Sequence, residues 1–130
     1  MYKVPAIVGA VAAFTDCDVE LLESAGLEVI DERPAVPGYK AEKKSEADEA
    51  IGIVLRHFKI DPAKEGLRIT FGGDLTAVSG IGASAAQVVS LARAIGIAKQ
   101  LQLTDDEVGA APRCCCPAAL CVHFALRLYR

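Results

Sequence analysis

The sequence predicts an α/β two-layer (α+β) fold. Two observations carry this expectation. Apolar patterns of period two, as in strands, alternate along the chain with patterns of period three to four, as in helices. The 130 residues, 52% hydrophobic and 24% charged, have the balance of one globular domain with a real core and none of the marks of disorder.

The elements follow in order. Pro5 to Ala13 is a continuous apolar run and reads as a buried strand. Asp18-Val19-Glu20-Leu21-Leu22 continues as a second strand, and Ser24-Ala25-Gly26 is a turn signal. Leu27-Glu28-Val29-Ile30 alternates as a half-buried strand does. Pro34, Pro37 and Gly38 make the stretch from Asp31 to Tyr39 a loop. The period then changes. Ala47, Ala50, Ile51, Val54, Leu55 and Phe58 line one face of a helix, with Glu46, Asp48, Glu49 and Arg56 turned away. His57 falls beside that stripe as a solvated residue, and Asp61-Pro62 closes the segment.

Gly66 to Phe71 reads as a strand with Leu67, Ile69 and Phe71 on one side, ended by Gly72-Gly73-Asp74. A second helix is expected from Ser84 to Leu101, burying Ala85, Val88, Val89, Ala92 and Ile95. Gly96 inside it costs about 1 kcal/mol against alanine. Thr104 with Glu107 three residues on forms a capping box that starts a third helix. The residues after Val108 show no helical stripe.

Composition excludes several classes. A net charge of −3 without a basic block argues against nucleic acid as a partner. No apolar run reaches the roughly 18 residues of a membrane span. The apolar stretch Val4 to Phe14 behind Lys3 faintly resembles a signal peptide, but Thr15-Asp16-Cys17-Asp18 is a poor cleavage site. A cytoplasmic chain with no membrane partner is the simpler reading. The five cysteines are odd in number, and four of them, Cys114, Cys115, Cys116 and Cys121, crowd the C-terminal end. That is not the spacing of a disulfide framework.

The segment richest in chemistry is Ser79-Gly80-Ile81-Gly82-Ala83-Ser84-Ala85-Ala86. Binding a phosphate needs backbone N–H groups that converge on one spot, no side chain in the way, and the positive end of a helix dipole. Gly80 and Gly82 permit unusual backbone angles, and Ala83, Ala85 and Ala86 are too small to obstruct. Ser79 and Ser84 offer hydroxyls to a phosphate or to a phosphate-bound Mg²⁺. The same residues also suit a small-residue turn that only packs tightly. A Walker A loop is ruled out, because no Gly-Lys-Ser or Gly-Lys-Thr occurs. Gly80-x-Gly82-x-x-Ala85 fits the loose dinucleotide fingerprint. It does not follow directly from a strand, and Asp105 and Asp106 sit in a helix-start signal rather than at a strand end.

Read from Thr76 to Ala86, the stretch resembles the second motif of the GHMP small-molecule kinases, Pro-x-x-x-Gly-Leu-Gly-Ser-Ser-Ala-Ala. Thr76, Ile81 and Ala83 depart from it; Gly80, Gly82, Ser84, Ala85 and Ala86 match. Val4-Pro5-Ala6-Ile7-Val8 resembles the strand after the first motif of these kinases. Asp31-Glu32-Arg33-Pro34-Ala35-Val36-Pro37-Gly38-Tyr39 resembles a stretch found in a branch of the mevalonate kinases. With Val88 to Ala94 after the loop, the resemblance to mevalonate kinases runs from about Val4 to Val108.

The resemblance implies an incomplete N-terminal domain of the ribosomal S5 domain 2 type. It implies ATP and Mg²⁺ as cofactors, and transfer of the γ-phosphoryl to the 5-hydroxyl of mevalonate. Ser79 to Ala86 would hold the phosphates and Ser84 would help place the metal. The family's Gly-Glu-His motif and its lysine belong upstream of Val4. Its metal-binding glutamate and its Pro-Ser-Gly-x-Asp segment belong downstream of Glu107. Asp105, Asp106 and Glu107 match neither, so no catalytic residue is assigned. The expectation is a chain that binds nucleotide but phosphorylates nothing alone, and that self-associates through apolar surface left uncovered. Another GHMP sugar or alcohol kinase, a non-catalytic nucleotide-binding or interaction module, and a plain structural domain are the alternatives. Residues 109–130 form an atypical Cys- and Arg-rich tail with the character of a frameshift product. Adjacent Cys114-Cys115-Cys116, even with Cys121 and His123, poorly suit a tetrahedral zinc site.

Overall fold

The computed structural model describes residues 12–78, 80–104 and 106–108. Strands β1 (Asp16–Leu22) and β2 (Gly26–Asp31) come first. The short helix α1 (Tyr39–Glu42), helix α2 (Lys44–His57), strand β3 (Gly66–Gly72) and helix α3 (Ala83–Ala98) follow. The expected strand from Pro5 to Ala13 lies mostly outside the described residues; Ala12 and Ala13 are not in a strand. The tail beyond Val108, with Cys114 to Cys121 and His123, lies outside them altogether.

The strands form one mixed sheet in the order β1-β3-β2. β1 runs antiparallel to β3, with Val19 opposite Ile69, and β2 runs parallel to it, with Val29 beside Ile69. Helix α2 lies in the β2–β3 connection, the long crossover that a parallel pair requires. Leu67, Ile69 and Phe71 point to one face and are completely buried, as their alternation predicts. On that face they join Ile51, Val54 and Leu55 of α2 and Val88, Leu91, Ala92 and Ile95 of α3 in a single core. The opposite face is polar. There Arg68 of β3 donates from Nε to Glu28 and from Nη1 to Glu20, both at 2.8 Å, across the two flanking strands. One covered face and one wet face make the two-layer α+β arrangement expected from sequence.

Several boundaries differ from expectation. β1 begins at Asp16, two residues early, because the whole segment finds partners on β3 as far as Gly72. β2 is an edge strand, so Leu27 and Val29 stay 42% and 38% exposed although they share the core face. α3 starts at Ala83 and closes at Ala98, short of Leu101. Leu91 belongs to its buried face, and Ala85 and Val89 are only half-buried. Gly96 earns its place by packing: a Cβ there would strike Leu103, which folds back against the helix. The capping box forms as expected. Thr104 donates from N and Oγ1 to Glu107 Oε2, both at 2.8 Å, and Glu107 N donates back to Thr104 Oγ1 at 3.3 Å. These backbone and hydroxyl donors hold the Glu107 carboxyl below its ordinary range.

Candidate functional site

The segment between β3 and α3 is pinned along its first half. Leu75 N donates to Phe14 O at 2.9 Å, and Asp74 Oδ1 accepts from Phe14 N at 2.7 Å. Ala77 N donates to Pro34 O at 2.7 Å, and Ala77 forms a parallel bridge with Ala35. The loop from Asp31 to Tyr39 is therefore laid directly beside the strand-like run that leads into the glycines. Proline-rich sequence is compatible with this, since one isolated bridge needs few donors.

The chain then turns outward. Gly80, Ile81 and Gly82 form an exposed turn, and Gly80 and Gly82 adopt φ of 89° and 82°. L-residues avoid this left-handed region. Among the described residues, chain neighbours aside, a Cβ at either glycine would meet no atom within 4 Å. Their requirement is thus conformational, and no described residue fills the space outside the turn. Gly82 is the N-cap of α3 and supplies no side-chain cap. The N–H groups of Ala83, Ser84 and Ala85 point out of the first turn without an intrahelical acceptor. No acidic side chain stands in that turn to offset the positive end of the dipole. Ser84 is exposed, whereas Ala83 is buried against the body of the domain. The structure therefore brings Gly80, Ile81, Gly82, Ala83, Ser84, Ala85 and Ala86 into one turn-and-helix start. Ser79 lies outside the described residues.

Beneath this turn sits a charged cluster that sequence reasoning did not single out. Arg33 is 5% exposed. It donates from Nε to Asp31 Oδ1 at 2.9 Å and from Nη2 to Asp31 Oδ2 at 2.7 Å, a bidentate pair. Nη2 also donates to Gln87 Oε1 at 3.0 Å, and Nη1 reaches the Ala83 carbonyl at 3.4 Å. The guanidinium carbon lies 5.4 Å from the centre of the Phe71 ring. Lys40 Nζ donates to the Asp31 carbonyl at 2.6 Å and lies 3.3 Å from Asp31 Oδ1. Burial pushes the Asp31 carboxyl up, but the Arg33 hydrogen bonds and charge, with Lys40, outweigh it. Its pKa is net lowered. The available sequence signal was an arginine two residues after an acidic strand end, which reads equally well as a solvated loop pair.

Among the described residues, no three His, Cys, Asp or Glu side chains gather where they could hold a metal ion. None of their helices is long and apolar enough to cross a membrane.

No family model matches the sequence, and neither does any curated protein. A solved structure does. The described fold is similar to that of a solved small-molecule kinase of the GHMP class. Within that class the chain is mevalonate kinase-like. It is similar to mevalonate kinase from L. major, solved in complex with R-mevalonate, at 38% identity and a TM-score of 0.82, over 88% of this chain. The chain spans 37% of that protein's length. The resemblance to mevalonate kinases read from the sequence is borne out.

Proposed function

We propose that this chain is the ATP-binding part of a mevalonate kinase-like enzyme, on a domain of the ribosomal S5 domain 2 type. The observation that carries the reading is the open, uncapped start of α3 behind Gly80 and Gly82. Its conformation and its missing acidic residues suit an anion, and the 38% identity with a mevalonate kinase supports reading that anion as the phosphates of ATP.

On this reading the amides of Ala83, Ser84 and Ala85 donate to phosphate oxygens, with Gly80 and Gly82 letting the ligand approach the backbone. The Ser84 hydroxyl, exposed at the second position of the helix, helps to hold Mg²⁺. Mg·ATP supplies the transferable phosphoryl group and the charge neutralisation that such transfer depends on. The small-molecule substrate is an alcohol of the mevalonate type, and the product an isoprenoid precursor. This chain's residues bind and orient the donor; none of them is assigned to the acceptor or to proton transfer.

The test is equilibrium binding of Mg·ATP to the pure chain by isothermal titration, beside Gly82→Val. A β-branched residue at φ 82° cannot keep the turn. Saturable binding by the natural sequence and none by the variant is expected, and mevalonate-dependent consumption of ATP by the chain alone is expected to be absent. A natural chain that binds no Mg·ATP overturns the proposal.

A further inference from the structure

The Arg33 cluster is the largest investment of buried polarity among the described residues, and it lies directly under the turn. Taking a guanidinium out of water is costly unless every donor finds an acceptor. Here two donors go to the carboxylate that ends β2, and two more reach α3, at the Gln87 side chain and the Ala83 carbonyl. Gln87 is itself buried, at 7% exposure. Ala83 and Gln87 stand one helical turn apart, so they present their acceptors on the same face of α3. The pair of contacts defines how the first turn is oriented on the sheet as well as where it sits.

We propose that Arg33 is a positioning residue for the phosphate-binding turn, acting through Ala83 and Gln87 to aim the amides of residues 83–85. This rests on the nucleotide reading above. The planar fork of arginine serves three acceptors at fixed angles, which the point charge of lysine does not reproduce. The Phe71 ring lies 5.4 Å from the guanidinium carbon, within cation–π range of it. The role belongs to the clamp as a unit: Asp31 fixes the guanidinium, and the guanidinium fixes the helix.

The experiment compares Mg·ATP affinity and ligand-free amide hydrogen exchange in the full chain and four variants. Gln87→Met keeps the side-chain volume and the Arg33–Asp31 pair but removes the acceptor on the helix. It is expected to weaken binding about tenfold, the loss of one hydrogen bond to a charged group. It should also speed exchange of the hydrogen-bonded amides of Ala86 and Gln87 while those of β3 stay protected. Arg33→Lys is expected to behave likewise. Gln87→Glu keeps an acceptor and should retain the affinity. Leu91→Ala is the control: it empties a fully buried site on the same helix. Under folding conditions it should lower the unfolding midpoint while leaving the affinity within about twofold, as expected for a site outside the clamp. If the natural chain binds and Gln87→Met binds equally well, the positioning role is overturned while the nucleotide reading stands. If the natural chain does not bind, the nucleotide reading falls and this role falls with it.

Discussion

The carbonyl oxygen of Ser24 occupies the position that a Cβ on Gly66 would take. Leu22, which ends β1, and Gly26, which starts β2, both pair with Gly66, one from each side. The connection from Glu23 to Ala25 must therefore cross over the first residue of β3, and only glycine leaves room. Gly66→Ala meets backbone, which has no rotamer to yield. A loss of about 3 kcal/mol or more is expected in urea-induced unfolding. An unchanged midpoint would mean that the strands are not joined in this way.

Both long helices end on a residue that pays for a left-handed conformation. Lys59 has φ 56° and Gln100 has φ 53°. Each is followed by the paired closing bonds of a Schellman turn: Ile60 N to Leu55 O with Lys59 N to Arg56 O, and Leu101 N to Gly96 O with Gln100 N to Ile97 O. Both side chains are exposed, so little contact is lost on removing them. Lys59→Gly and Gln100→Gly should each stabilise the fold by about 0.5 kcal/mol, the relief of a left-handed side chain less the added freedom of the unfolded chain. Thermal unfolding of the single and double variants checks the gain and its additivity.

The lowered pKa of Asp31 gives an acid limb to stability. A carboxylate held lower in the folded state contributes fully above its unfolded value of about 3.9. The contribution shrinks as pH falls below that value and is gone below the folded one. Asp31→Asn should therefore be less stable than the natural chain at neutral pH, with the gap closing as the medium is acidified below about pH 4. A gap that stays constant with pH would show that Arg33 is not paired with an ionised Asp31.

Cys17 packs against the core, and burial first, then the neighbouring Asp18, pushes its thiol up to about 12, with Arg33 opposing. The thiolate is the reactive form, so at pH 8 almost none is present. Peptide mapping after iodoacetamide should find Cys17 unmodified in the folded chain and modified in urea. Rapid alkylation without denaturant would contradict the packing of β1 on the core.

Much of this architecture could be read from residue patterns, because the patterns are local. Leu67, Ile69 and Phe71 alternate visibly, Ile51, Val54 and Leu55 repeat visibly, and Thr104 announces its capping partner Glu107. The strand order could not be read, because it depends on Gly66 yielding space to a distant Ser24. The end of α3 was misplaced at Leu101 because Gln100 takes a left-handed angle that its sequence gives no sign of. Within the site, Gly80 to Ala86 stood out because small residues before a helix have a direct physical meaning. Arg33 did not, because its partners Ala83 and Gln87 lie 50 and 54 residues away. A buried ion pair is a property of tertiary packing, and the local sequence of Asp31 and Arg33 is that of any polar loop.

On the proposed reading, the start of α3 receives the phosphates of ATP. The most direct measurement is a two-dimensional amide NMR titration of the ¹⁵N-labelled chain with Mg·ATP. Saturable shifts are expected on Gly80, Ile81, Gly82, Ala83, Ser84, Ala85 and Ala86, with β1 and the exposed face of α2 unmoved. No shifts, or shifts centred elsewhere while this turn stays still, would contradict it.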